Sequence, residues 1–270
     1  MKVVPVLSLT LACLLRTGSS PVSTPQYSQA YTVLIKGVPC GTETTTEEWG
    51  KNGDLVSSSQ SEIFITDGLG TKRLAFVTQM VMSKSNLAPI SYSYRYTSGE
   101  SKDGYEVTVK DGQIRRVLSR GGHSSEITVP LLADVTILDF NVYHQYDYLI
   151  RKYDVKKGGR QSFHNFIPLI GSEMPMAITQ IEDTNLEHAK GTLPVRNFKI
   201  EFVGMWSGTV STDKSGRLVR LVLRDQDLEV VRKDLLPEPE QPKAEPEKDP
   251  ASVSPPKLPD PPGLEMIYDK

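Results

Sequence analysis

Histidine can act as a general acid, a general base or a metal ligand near neutral pH. The chain contains four histidines: His123, His144, His164 and His188. A metal site needs several converging ligands, and local signatures place histidines three or four apart or cysteines about two apart. None of the four has a second His or Cys at such a spacing. The nearest pair is His144 with Asp147, which would share one face of a helix. We therefore expect neither a metal nor a cofactor, and interpret the histidines as hydrogen-bonded structural residues.

Two serines have glycine neighbours of the kind found in hydrolases. A nucleophilic Ser of that class lies between two glycines at a sharp turn from a strand to a helix. The segment 122–126 (GHSSE) lacks the second glycine, and the segment 204–208 (GMWSG) has the wrong spacing. Both are more typical of turns. A hydrolase that uses His144 with Asp147 remains the least favoured function, because catalytic groups can also meet only in three dimensions.

A stripe of three tyrosines is the strongest candidate for a ligand-binding face. Tyr92, Tyr94 and Tyr96 alternate with polar residues in the segment 91–96. Because successive strand side chains point to opposite faces, the three rings share one face. Tyrosine combines apolar area with a hydrogen-bonding hydroxyl, which suits either a ligand or the core side of a strand. Both interpretations stay open.

The same period of two runs through most of the chain and predicts strands. It is clear at 105–110 (YEVTVK) and 198–202 (FKIEF), and the dipeptides Asn52-Gly53, Asp103-Gly104 and Asp111-Gly112 favour tight hairpins. The predicted strands are 29–37, 41–50, 54–66, 71–84, 90–97, 104–110, 113–120, 124–130, 161–170, 174–182, 195–204, 206–212, 217–224 and 227–233.

Only the segment from Asp139 to Tyr153 has helical periodicity. Val142, Tyr146 and Leu149 fall on one helical face with Tyr153. A single amphipathic helix in a β chain must bury its apolar stripe against the sheet. The expected fold is therefore mainly β, with a large curved antiparallel sheet, a β-roll or half-barrel, wrapped around one amphipathic helix.

The first residues resemble an export signal. Lys2 precedes a short apolar block that ends near Leu15, and small residues follow, which predicts a signal peptide at 1–19. The apolar block is too short to span a bilayer comfortably. Leu11-Ala12-Cys13 also resembles a lipoprotein signal, although Thr10 departs from it, so lipidation of Cys13 is the alternative. The protein is thus expected in the periplasm or envelope of a bacterium, and membrane-bound only if Cys13 is acylated.

The last part of the chain differs in composition. Residues 235–270 are rich in proline and charge, which predicts a disordered tail after a β-roll domain at 27–234. A small apolar cluster near its end could dock on a partner by adding a strand. The residues of this motif are Leu264, Met266, Ile267 and Tyr268. The alternative is that the cluster has no role.

Several short cues resemble a family of exported bacterial domains of unknown function with a spiral β-roll fold. They are Tyr31-Thr32-Val33 with Gly37 and Gly41, Leu138-Asp139-Phe140-Asn141 with His144, Tyr146 and Pro168, and the segment 216–218. The resemblance covers roughly 27–233 and implies an antiparallel sheet around a helix. A looser similarity is to periplasmic lipoprotein carriers, whose half-barrels shelter acyl chains. Neither family implies catalytic residues.

The expected function is that of a non-catalytic envelope module that binds a hydrophobic small molecule, a lipid or an envelope protein in an apolar trough between sheet and helix. The expected lining is Tyr92, Tyr94, Tyr96, Val142, Tyr146 and Leu149. The alternative is a scaffold or assembly factor that acts through its proline-rich tail. A net charge of −2 and a pI near 6.1 give no reason to expect nucleic acid as a partner.

Overall fold

The computed structural model describes residues 26–50, 52–67, 70–99, 101–202 and 204–237. The predicted signal peptide with Cys13, the proline-rich segment and the terminal motif at 264–268 lie outside the described residues. No helix within the described part of the chain is long and apolar enough to cross a membrane.

Sixteen strands and one short α-helix account for most of the described chain. The first eight strands form a continuous meander: β1 Tyr27–Ile35, β2 Val38–Trp49, β3 Leu55–Asp67, β4 Gly70–Met82, β5 Pro89–Ser98, β6 Ser101–Lys110, β7 Gln113–Arg120 and β8 His123–Pro130. The rest are β9 Thr136–Ile137, α1 Gln145–Arg151, β10 Arg160–Ile167, β11 Ser172–Gln180, β12 Thr184–His188, β13 Gly191–Phe202, β14 Trp206–Thr212, β15 Leu218–Leu223 and β16 Leu228–Arg232. Two single turns of 3₁₀ helix occupy Arg224–Gln226 and Lys233–Leu235.

The strands form one open sheet in the order β8-β7-β6-β5-β4-β3-β2-β1-β16-β15-β14-β13-β11-β10-β9, with β12 paired separately to β13. The two halves of the chain join where β1 and β16 pair antiparallel, with Tyr31 opposite Arg232. All pairings are antiparallel except the two-residue contact of β9 with β10. The expected fold class, a large curved antiparallel sheet with a single helix, is therefore confirmed.

Each strand predicted from the alternation has a counterpart, but one predicted turn is wrong. Asp103-Gly104 lies inside β6, and the chain reverses instead between Ser98 and Ser101. A Cβ atom on Gly104 would lie 2.5 Å from the carbonyl oxygen of Tyr94 on the neighbouring strand. The glycine therefore permits close approach of two strands and does not mark a turn.

The helix is much shorter than its periodicity predicted. It covers Gln145–Arg151 and not Asp139–Tyr153, and His144 occupies the N-cap without a side-chain cap. Asn141 has a φ of +63°, a left-handed conformation that a right-handed helix cannot include. Asp139 does not cap the helix, because its carboxylate accepts the N–H of Phe140 and a tyrosine hydroxyl.

The sheet coils so that its two ends overlap, and this overlap creates two apolar layers. Ile167 of β10 packs in the larger cluster around α1, whereas its neighbour Phe166 packs in a second cluster with Tyr92 and Ile114. Strand β10 is therefore covered on both faces at this point. Arg116 of β7 closes the overlap by donating to the carbonyl oxygen of Pro168 at 2.8 Å.

A third, smaller cluster covers the outer side of the β1–β16 junction. Its buried members are Val195, Val219, Val231 and Leu235. Leu235 belongs to the last 3₁₀ turn, which places this residue within the folded core.

Candidate functional site

Strand β2 carries carboxylates into the interior, where they meet the helix. Glu43 has no exposed surface and is held by three contacts from the start of α1. Its Oε1 lies 2.7 Å from Nδ1 of His144, and its Oε2 accepts the backbone N–H groups of Tyr143 at 3.0 Å and His144 at 3.1 Å. The carboxylate thus binds two backbone amides of the segment that leads directly into α1.

One turn further along the helix, a second carboxylate forms a buried charge cluster. Glu47 accepts hydrogen bonds from Nη1 of Arg217 at 2.6 Å, from Nη2 of Arg217 at 2.8 Å and from the hydroxyl of Tyr148 at 2.8 Å. Arg217 also lies 3.2 Å from Asp147, whose other oxygen accepts the backbone N–H of Leu218. This cluster joins β2, α1 and β15 by charge-assisted bonds.

Burial and pairing act in opposite directions on these carboxylates. Burial raises the pKa of Asp147 to about 6, although Arg151 and Arg217 act to lower it. Burial also acts to raise the pKa of Glu47, but the hydrogen bonds and charge of Arg217 outweigh it and hold that pKa below its usual range. The bidentate contact of Glu47 with Arg217 is therefore the dominant ion pair of the cluster.

A third buried acid lies where the coiled ends of the sheet overlap. Asp139 Oδ2 accepts hydrogen bonds from the hydroxyls of Tyr92, at 2.8 Å, and Tyr105, and its backbone N–H donates to Oε1 of Gln145 at 2.7 Å. Burial raises the pKa of Asp139 to about 6. These contacts position the Leu138–His144 segment against β5 and β6.

These polar groups stabilise the fold and do not form an accessible catalytic site. A carboxylate that orients a histidine through Nδ1 supplies two of the three members of a hydrolytic triad, but such a histidine must reach the substrate. His144 is only 2% exposed. The side chains of His144 and Asp147 also have different partners, Glu43 for the first and Arg217 and Leu218 for the second. The contact between the two residues is a backbone one, from the N–H of Asp147 to the carbonyl oxygen of His144. Within the described ranges no three His, Cys, Asp or Glu residues are placed to hold a metal ion.

An apolar pocket opens at the end of the roll where β13 turns into β14. Its volume is about 30 Å³, and among the described residues of its lining Asp139 is the charged one. The other lining residues are Leu138, Phe140, Tyr146, Ile167, Met174, Phe202, Met205 and Trp206. Phe140 is 39% exposed and Met205 is 54% exposed, so apolar side chains rim the opening. In the turn between β10 and β11, Leu169 and Ile170 are each about half exposed.

The six residues expected to line a ligand trough are divided between the two core layers. Tyr146 and Leu149 are buried in the larger cluster, with Tyr96 packed against it, and Val142 is buried as well. Tyr92 is buried in the second cluster, and Tyr94 packs against both. Of the six, Tyr146 alone reaches the apolar pocket.

Sequence reasoning did not identify the buried acids of β2, although a signal was present. Residues 42–48 (TETTTEE) form a strand with no apolar residue on either face. In a coiled sheet, one face of each strand points to the interior and is shielded from water, so at most one face of this strand can be solvated. Such a strand therefore requires buried polar partners. Glu43 finds them in the segment just before α1, and Glu47 finds them in Tyr148 and Arg217.

No family model and no curated protein matches this chain. Among solved structures, the chain is similar to a β-barrel-like protein of domain of unknown function DUF1849 from Brucella abortus. That similarity has a TM-score of 0.53 and 8% identity, and covers 76% of this chain and 93% of the other. A DUF1089 family protein from Pseudomonas aeruginosa aligns with a TM-score of 0.42 and 12% identity over 66% of this chain and 87% of the other, which is too distant to support an argument. The first similarity shows that this chain has a β-barrel-like fold.

Proposed function

We propose that this chain is a non-catalytic β module of the bacterial cell envelope that binds a protein partner through the apolar pocket. The observation that carries the proposal is the exposed apolar rim of Phe140 and Met205 around a small apolar opening. Exposed apolar patches of this kind mark interaction sites, and aromatic and methionine side chains are enriched there.

The size of the pocket favours a side chain of a protein over a lipid. A space of about 30 Å³ holds one or two water molecules in this conformation. An acyl chain needs a long channel. The apolar stripe of the helix, which would line such a channel in a lipoprotein carrier, is packed against the sheet. A single leucine, methionine or phenylalanine of a partner needs only a modest movement of Met174 and Met205, which are flexible side chains.

The cell-envelope location rests on the signal-like residues 1–19 and remains part of the proposal. An exported module with a proline-rich segment beyond the described domain is consistent with binding to another envelope protein. The scaffold hypothesis differs in one respect, because it assigns binding to the residues 264–268 and not to the pocket.

Photo-crosslinking in the native cell tests this proposal. The full chain would carry p-benzoylphenylalanine at Met205, and a matched chain would carry it at Val77, an exposed residue on the outer face of β4. We expect a protein adduct from position 205 only. The captured protein, purified, should then bind the full chain at least tenfold more weakly after Met205→Glu.

Three results would overturn the proposal. They are no adduct from position 205, an adduct whose mass is that of a lipid, and equal binding of the captured protein to the wild type and Met205→Glu. Removal of residues 238–270 separates the two hypotheses, because pocket binding should survive the truncation and tail binding should not.

A further inference from the structure

A second surface of the molecule lies at the free edge of β10 and has no residue in common with the apolar pocket. It is a groove of about 670 Å³ between the β4–β5 turn, the end of α1 and the first half of β10. Ser162, Phe163 and His164 form its β10 side, and Arg151 and Lys152 form its helical side. A volume of this size accommodates a short segment of peptide.

The backbone of β10 is unpaired along this groove. Strand β9 pairs only with Asn165 and Phe166, so no strand in the described part of the chain pairs with Arg160–His164 on that side. The carbonyl oxygen of Phe166 accepts the N–H of Leu138 and therefore points toward β9. Because backbone groups alternate in direction along a strand, the N–H groups of Ser162 and His164 point the same way, into the groove.

The side chains around this edge provide further recognition elements. Ser162 and His164 are exposed, and Phe163 is half-buried against the core. The charged groups that line the groove are Arg151, Lys152 and the exposed Asp134. Lys152 donates to the carbonyl oxygen of Val135 at 2.9 Å, and burial lowers its pKa to about 8. A desolvated ammonium of this kind gains from a nearby anion.

We propose that this groove binds an extended acidic peptide, which adds a strand to the free edge of β10 and places its carboxylates near Arg151 and Lys152. Strand addition uses main-chain hydrogen bonds for affinity and side chains for specificity. The edge of β10 supplies the unpaired amides. Arg151 is already paired with the buried Glu47 at 3.5 Å, whereas the partly buried ammonium of Lys152 donates to backbone carbonyl oxygens. Lys152 therefore sets the sign of charge that the peptide must carry. This site is independent of the apolar pocket, so neither proposal depends on the other.

Fluorescence anisotropy with synthetic peptides tests this proposal on the full chain. The probe is the labelled heptapeptide TVEVEVT, and the matched probe TVKVKVT reverses its charge. A third probe has the acidic sequence with an N-methyl group on every residue, which removes the donors from both hydrogen-bonding edges. We expect the acidic probe to bind at least tenfold more tightly than either of the other two.

Two proline variants locate the binding edge. Ser162→Pro removes an outward N–H of β10, and proline is tolerated at an edge position whose N–H has no ladder partner. Ser124→Pro is the matched control on β8, the strand at the opposite end of the sheet. Since Arg120 and His123 close a two-residue turn, the N–H of Ser124 points away from β7. We expect Ser162→Pro to weaken binding of the acidic probe at least fivefold and Ser124→Pro to leave it unchanged.

Equal binding of the acidic and basic probes, or of the N-methylated probe, would overturn the proposal. A loss with Ser124→Pro in place of Ser162→Pro would overturn it too, because it would assign binding to β8. If Ser162→Pro does not fold, as judged by circular dichroism, the comparison of the three probes on the wild type decides the question alone.

Discussion

Glu43 and His144 are 101 residues apart in the chain, and their side chains meet at 2.7 Å in the interior of the roll. The same carboxylate accepts two backbone N–H groups at the start of α1. A side chain of β2 therefore fixes the position and direction of the helix that the sheet surrounds. Polar contacts of this kind are costly to break, because every group involved is buried.

Replacement of Glu43 should destabilise the protein strongly. Glu43→Ala leaves two buried amides and an imidazole without their acceptor, and we expect a loss of about 3 kcal/mol or more in the free energy of unfolding. Glu43→Gln keeps one oxygen as an acceptor and should lose about half as much. Urea denaturation measures both values. A loss below about 1 kcal/mol for Glu43→Ala would show that the contact does not hold the helix.

The charge cluster provides a second prediction with an internal control. Arg217→Met removes the cation from Glu47 and Asp147, both buried, and breaking a buried pair costs about 3–5 kcal/mol. Arg73→Met removes a cation from the surface pair with Glu62, where solvent screening leaves little or no loss to be expected. Equal effects of the two substitutions in thermal unfolding would contradict the assignment of Arg217 to a buried network.

Stability should increase as the pH falls from about 7 to about 5. The pKa of Asp139 is about 6 in the folded protein, and the usual value for aspartate in an unfolded chain is about 3.9. Between these values the folded state binds more protons than the unfolded state, so stability is lost as the pH rises through this window. A raised pKa of about 6 places Asp147 in the same window. Each group should contribute roughly 1–3 kcal/mol.

Urea denaturation of the wild type, Asp139→Asn and Asp147→Asn at the two pH values measures this effect. Each variant should show a smaller gain at low pH than the wild type does. Glu47 acts in the opposite direction, because a lowered pKa stabilises the folded state at pH values above the usual pKa of glutamate. That contribution is lost only as the pH falls below this usual pKa. A wild-type protein that is less stable at about pH 5 than at about pH 7 would contradict the prediction.

Arg116 is expected to hold the overlapping ends of the sheet together. Arg116→Met removes the hydrogen bond to the carbonyl oxygen of Pro168 and should cost about 1–3 kcal/mol. Hydrogen exchange of the Ile170 and Gly171 amides, which bond to Ile167, should become faster. Arg115→Met is the control, because its partner Glu126 lies on the exposed surface. Unchanged exchange in Arg116→Met would show that the overlap is closed by apolar packing alone.

The sheet was predictable because a period of two is a local property of the sequence. Strand β9 was missed because two residues carry no period, and β12 because Leu186 is its only apolar residue. The helix was overextended for a different reason. Val142 is buried as the periodicity required, but the chain reaches that position through a left-handed residue and not through a helical turn.

The pocket could not be predicted from local sequence. Its rim combines Phe140, which follows β9, with Met205 between β13 and β14. These residues are 65 positions apart, and only the coiling of the sheet brings them together. The tyrosine stripe was predictable as a shared face, but which core layer covers each ring depends on where the ends of the sheet overlap.

One comparison of dissociation constants decides whether the rim of the apolar pocket is a protein-binding surface. The partner captured at position 205 would be titrated against the full chain carrying Met205→Glu or Val77→Glu, both at exposed positions. We expect at least a tenfold weaker complex for Met205→Glu and an unchanged complex for Val77→Glu. Equal dissociation constants for the two variants would contradict it.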